Sequence, residues 1–410
     1  MIVSVYTLTS TISDPVQIEC ISKVFLGEIA QLTPCEFEIK GEDFSDFNEV
    51  EMPVIYIRTG GTEGKFKAIF SQLKGYIRLL TSGMSNSLAA SMEILSFLRQ
   101  EGRQGEILHG SSSYIAEHLR IDYQVEQARK KLNGTRLGII GKPSDWLISS
   151  DVNRNIVREK LGIEFVDLTI DELYEAYLSI DEASPEWKKF MTDNVALNFN
   201  HHAPRCLAQY RDGAFKIYLA LKQLVHKYQL YGFTLRCFDL LSLVNNTGCM
   251  ALAMFNAQGV PASCEGDIPA LLTMAIGQSL TGYTGFQANP SRICVDSGEI
   301  TFAHCTVPIN MVRSYSFDTH FESGIGIGLK GEFAKGKVTI AKISGDLSRS
   351  WFCESDLIDN LSDSNLCRTQ IVLRGNGFTD YFLTNPIGNH HIIFQGNQKP
   401  VFDAFMKRLI

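Results

Sequence analysis

The first third of the chain repeats one pattern of apolar and polar positions. A short β-branched apolar run gives way to a Gly/Ser/Thr turn and then to a stretch whose apolar residues return at helical spacing, the order expected of parallel α/β layers. Met52–Arg58 (MPVIYIR) reads as a strand running into Thr59-Gly60-Gly61-Thr62, and Tyr76–Leu80 as another that ends at Thr81-Ser82-Gly83. Asn86–Arg99 follows as a helix, with Ser85 or Asn86 as its cap and Leu88, Met92, Leu95 and Leu98 as its apolar stripe. A charged helix over Tyr123–Leu132 leads to the turn Asn133-Gly134, after which the pattern restarts at Arg136–Gly141 (RLGIIG) and reaches a further strand at Ile163–Leu168. A helix-rich passage over 172–230 precedes the strand Phe233–Phe238. Beyond it, Lys337–Ile343, Thr369–Leu373 and His391–Phe394 alternate tightly between Gly-Asn and Ser-Gly turns, which predicts a mainly antiparallel region closed by the helix Val401–Leu409.

The expected architecture is therefore α/β, with two Rossmann-like domains followed by a β-rich, barrel-like C-terminal domain. The boundaries fall at 1–132, 133–300 and 301–410. A length of 410 residues agrees with two to four domains, so no disulfide or metal staple is needed to hold a core. With 45% hydrophobic and 20% charged residues the composition is that of a globular chain. No run approaches the roughly 18–20 apolar residues of a membrane span, and the start, MIVSVYTLTSTISDPVQIEC, lacks the cationic region of a signal peptide; the cytoplasm is the expected compartment. A net charge of −7 with interspersed signs argues against nucleic-acid and anionic-membrane partners. The ten cysteines form no CxxC pair, so buried, reduced thiols are expected.

Residues 245–330 are dense in Gly, Cys, Thr, Asn and His, a loop chemistry carried on a scaffold. Arg236 ends the strand Phe233–Phe238 and can orient a polyol or carbonyl oxygen, or simply face solvent. In Ser263-Cys264-Glu265-Gly266-Asp267-Ile268-Pro269, Pro269 suits a first helical turn, so Asp267 is either its cap or a catalytic acid. Glu265 precedes the cap and has no helix to serve; carboxylates so placed ligate metals or carry protons. Asn289, before Pro290, is biased towards an extended or turn conformation. His304, His320 and the pair His390-His391 each lie between an apolar stretch and a turn, and the adjacent pair on a strand would point to opposite faces. Glu, Asp, Asn and His together suit Mn²⁺, Mg²⁺ or Zn²⁺. His201-His202 sit in a polar passage with no evident role. No P-loop, dinucleotide fingerprint or GxSxG elbow competes, and the Gly324–Gly328 glycine run has no helix after it to bind phosphate.

At these residues the sequence resembles the L-fucose isomerase and L-arabinose isomerase superfamily, most strongly over Thr234–Gly331 and Gly388–Gly396. The resemblance implies a metal-dependent aldose–ketose isomerase acting on a deoxy-sugar or pentose through a cis-enediol. It implies a Mn²⁺ ion or another divalent cation, and a homo-oligomer, trimer or hexamer, with sites between subunits. Carried onto this chain, Glu265 becomes ligand and base, His320 a ligand, and His390 or His391 the C-terminal ligand. Arg236, Asn289 and His304 would contact substrate, and Asp267 would be a second acid. Asn289 stands where the fucose enzymes have an acidic ligand. Hence either the metal binds more weakly, or Asp267 supplies the carboxylate, or the chemistry differs, and a sugar-binding or regulatory protein without turnover is the competing expectation.

Overall fold

The computed structural model describes residues 1–193 and 204–409; His201 and His202 lie outside them. The chain divides into two compact units, Met1–Gln127 with Ala404–Ile410, and Ala128–Asp403.

The first unit is built on a parallel sheet of five strands, β1 (Ile2–Leu8), β2 (Glu36–Gly41), β3 (Pro53–Ile57), β4 (Ile77–Leu80) and β5 (Gly105–Leu108), in the order β2-β1-β3-β4-β5. Its central strands are apolar on both faces because successive side chains alternate and both faces are covered. Val3, Val5, Val54 and Tyr56 enter one core cluster, while Tyr6, Leu8, Ile55 and Ile57 enter another. The predicted helix appears as Ser87–Gln100, with Asn86 at its cap position. Asn86 adopts a left-handed conformation (φ 60°) and its side chain makes no capping bond. The charged helix is longer than its sequence pattern indicates, Ser112–Leu132.

In the second unit, β6 (Arg136–Ile140), β7 (Glu164–Leu168), β8 (Gly232–Leu235) and β9 (Ala262–Cys264) form a parallel sheet in the order β7-β6-β8-β9. The strand expected over Phe233–Phe238 ends at Leu235, so Arg236 and Cys237 lie beyond it, at the carboxyl edge where open α/β sheets place their ligands. Next come β10 (Phe286–Cys294), β11 (Glu299–His304), a side ribbon of β12 (Ser314–Asp318) and β13 (Gly328–Glu332), then β14 (Gly336–Ile343), β15 (Ser350–Asn360), β16 (Thr369–Arg374) and β17 (His391–Gln395). Six of them close into an antiparallel barrel, β10-β11-β16-β15-β14-β17, whose first strand, β10, lies before residue 300. Phe302, Ile340, Ile371 and Ile393 belong to its apolar core.

The helix Ile268–Thr281 joins the parallel sheet to the barrel, and Ile268 to Gly277 are all buried. Gly277 allows its close approach, because a Cβ there would stand 2.1 Å from Phe394 Cζ on β17. Cys237, Cys249, Cys264, Cys305 and Cys353 are buried free thiols, whereas Cys20, Cys206 and Cys294 are exposed, contrary to the expectation for the cysteines as a set. Among the described residues no helix is long and apolar enough to cross a membrane.

Candidate active site

Where β9 stops, the chain makes two consecutive left-handed residues, Glu265 (φ 65°) and Gly266 (φ 72°). A non-glycine residue in that region is strained, and here the strain turns the Glu265 side chain off the strand direction. The turn is held by Ser144 N–H donating to Glu265 O (2.9 Å) and Gly266 N–H donating to Leu235 O (3.0 Å). Gly266 has no room for a side chain: a Cβ would lie 2.5 Å from Lys142 O and 2.8 Å from Pro143 Cα. Gly266→Ala is therefore expected to destabilise the protein by about 1–3 kcal/mol, as overpacking combined with an unfavourable φ does. Denaturant unfolding checks it, and a wild-type midpoint would contradict the rigid turn.

Asp267, fully buried, caps the following helix by accepting from Ala270 N–H at 2.8 Å through Oδ1. Its other oxygen, Oδ2, stands 2.8 Å from His390 Nδ1. An ionised carboxylate only accepts, so His390 Nδ1 is the donor and Nε2 is the nitrogen left to face the site. Nε2 lies 3.4 Å from Glu265 Oε1, an ion-pair contact, and makes no aligned hydrogen bond although it is buried. His304, at the end of β11, contacts Thr306 Oγ1 through Nδ1 (3.0 Å) and brings Nε2 to 3.9 Å from the same Glu265 oxygen. The ligand atoms of Glu265, His304 and His390 all lie within 4.8 Å of one another. Glu265 Oε2 is occupied by the Trp146 indole N–H at 2.7 Å, which leaves Oε1 for the site.

Burial alone would raise both carboxyls, yet the His390 and His304 imidazoles bring Glu265 to about 2, and Lys342 with His390 brings Asp267 to about 2. For His390 burial works downward, but the two carboxylates win and raise it to about 9. His304 is pushed down to about 3, chiefly by burial and then by His390. The group thus contains a neutral imidazole, an imidazole balanced by two carboxylates, and an anionic oxygen facing both. Oxygen and imidazole donors converging at this spacing suit a divalent first-row cation, with Nε2 of each histidine as donor.

His320, also expected near the metal, is not in this group. Its Nδ1 meets Ser323 Oγ at 3.0 Å and its ring packs on Phe238, 5.5 Å between centroids; Phe238 in turn packs on Trp146 at 4.9 Å. It belongs to an aromatic rim that reaches Glu265 through Trp146. His391 faces the other way: Nδ1 is 2.8 Å from Asn389 O and Nε2 2.8 Å from Tyr381 OH, so both nitrogens are engaged. Arg236 spends its guanidinium on Asp239 (3.0 Å), Asp145 (3.0 Å) and Pro143 O (2.6 Å), tying the strand end to the loop that carries Trp146. Asn289 lies opposite Ala303 on β11, next to Ala288, which pairs with His391 on β17; its Oδ1 is buried and unpartnered. Among the described residues of this unit, the buried side-chain polar atoms that make no hydrogen bond are Ser144 Oγ, Asn289 Oδ1 and His390 Nε2. Ser144 lies on the loop that carries Trp146, and Asn289 on β10, which pairs with both β11 and β17.

Sequence patterns had not pointed to Trp146, Ser144, Thr306 or Lys342. Trp146 is itself an exposed aromatic, and only its indole N–H contact to Glu265 marks it out. Lys342 did leave a signal, as a charge in register with Val338 and Ile340 on one face of β14.

No protein-family model matches the chain. The chain is similar to sulfoquinovose isomerases. The proteins of that name from Priestia aryabhattai and Priestia megaterium (strain ATCC 12872 / QMB1551) are each 22% identical over 271 residues, which is 63% of this chain and 59% of the relative. One from Clostridium sp. (strain MSTE9) is 29% identical over 120 residues, 29% of this chain and 26% of the relative. The match thus spans about three fifths of the length of the Priestia relatives.

Proposed function

We propose that the protein is an aldose–ketose isomerase that uses a divalent cation, Mn²⁺ being the first candidate, and acts on a deoxy-sugar or pentose through a cis-enediol. The observation that carries this reading is the convergence of the buried His390 Nε2, which makes no aligned hydrogen bond, and His304 Nε2 on Glu265 Oε1. The relatives' name makes sulfoquinovose the first substrate to try.

In this reading Glu265, His304 and His390 hold the cation, and Asn289 Oδ1 adds a neutral oxygen in place of an acid. A bound divalent cation would stabilise negative charge developing on adjacent sugar oxygens. Glu265 keeps Oε1 towards the sugar because Trp146 restrains Oε2, so the same oxygen can bind the cation or move a proton between neighbouring carbons. Asp267, with both oxygens engaged, orients His390 and does not carry the proton. His320, Phe238 and Trp146 form an apolar and imidazole wall suited to a sugar face. Arg236 fixes the loop instead of touching substrate. The fucose and arabinose resemblance extends the reading to a cytoplasmic trimer or hexamer with sites at subunit contacts.

Incubating the full chain with Mn²⁺ and a panel of aldoses, sulfoquinovose included, in D₂O should give ketose with deuterium at the carbon that exchanged its hydrogen, seen by NMR. The charge missing at Asn289 favours one second reading, a sugar-binding protein without turnover. Calorimetric sugar binding with no ketose at saturating Mn²⁺ would decide for it.

A further inference from the structure

Lys342 is the feature of this region that the reaction has not used. It lies on β14, 2% exposed, in register with Val338 and Ile340, which belong to the apolar core. A lysine in such a wall is costly to desolvate, and removing it alone would leave the charge it faces without that compensation. Its Nζ stands 3.9 Å from Asp267 Oδ2, beyond hydrogen-bonding distance, and that carboxylate is the charge it faces. The same Oδ2 receives His390 Nδ1–H at 2.8 Å, while Oδ1 serves the helix cap. Lys342, Asp267, His390 and Glu265 therefore stand in line, each within 3.9 Å of the next.

We infer that Lys342 is a positioning residue: its ammonium is the fixed counter-charge that holds the Asp267 carboxylate towards His390, so that Nδ1 keeps its hydrogen on Asp267 and Nε2 is presented to the cation. The inference rests on the reading of Glu265, His304 and His390 as cation ligands. Groups that orient a ligand imidazole commonly control affinity by about 10–100-fold. Lys342 acts one bond further out, through Asp267, and touches neither cation nor sugar.

The test is calorimetric titration of the full chain with Mn²⁺, without sugar, beside thermal unfolding in the absence of metal. Lys342→Met keeps length and apolar packing but leaves Asp267 with His390 alone as counter-charge; it is expected to unfold below the wild-type temperature without metal and to bind Mn²⁺ about tenfold more weakly or worse. Lys342→Arg, which keeps the charge, is expected to recover part of that affinity. Wild-type Mn²⁺ affinity in Lys342→Met overturns the inference. A loss of affinity in step with a loss of thermal stability in both variants also overturns it, in favour of a packing role. If the wild-type chain binds no divalent cation, the ligand reading fails and this role fails with it, whereas wild-type binding with an unchanged Lys342→Met removes this role alone.

Discussion

Glu265→Gln is expected to abolish measurable Mn²⁺ binding and to lower aldose–ketose turnover by more than about 10³-fold, while the protein keeps its fold. The argument is one of charge at constant shape. Glutamine preserves volume and offers Trp146 an amide oxygen to accept its indole N–H, so the loop contact at 2.7 Å can survive. What it removes is the anionic Oε1 that both imidazole Nε2 atoms approach, at 3.4 and 3.9 Å. Two neutral nitrogens and the amide oxygen of Asn289 are then a poor set for a hard divalent cation. The loss should exceed the roughly 10–100-fold typical of groups that only support a ligand. Calorimetry with Mn²⁺ and a ketose assay measure the two effects; wild-type affinity in the variant would remove Glu265 from the cation site.

Asp267→Ala carries the largest expected effect on stability, about 3–5 kcal/mol, because the carboxylate ties three elements together. The helix Ile268–Thr281 loses its cap, worth about 1 kcal/mol. His390, on the β17 side of the barrel, and Lys342, on β14, are left buried without their shared counter-charge, the situation in which breaking a buried ion pair costs most. Asp267→Asn keeps an oxygen for the cap and is expected to lose less stability but a similar share of Mn²⁺ affinity. Denaturant unfolding of both variants makes the comparison; a cost below about 1 kcal/mol for alanine would mean that the carboxylate does not organise the junction.

Several parts of this arrangement were legible in the sequence. The apolar run Val54–Ile57 read as a strand of an α/β layer, and its alternate residues do enter two separate cores. Pro269 after Asp267 made a helix cap one of two readings of that residue, and Asp267 Oδ1 does cap. That only one of His390 and His391 faces a given pocket followed from strand alternation. Other features needed long-range geometry. His304 and His320 sit in similar local settings, yet only His304 has its Nε2 within reach of Glu265 Oε1, because β11 ends beside the turn after β9. The ion pairs of Arg236 were not legible either, since Asp145 and Asp239 flank it only once the strand has ended and the loop has folded back.

Sequence alone determined the layers, the antiparallel C-terminal region and the residue types of a candidate cation site, because these depend on periodicity and on side-chain chemistry carried locally. The tertiary structure decided which histidines join Glu265, which nitrogen each offers, and that a lysine stands behind Asp267. Those outcomes depend on barrel closure and strand register, which bring residues more than a hundred positions apart, such as Asp267 and His390, to within a hydrogen bond, and no local pattern encodes that distance.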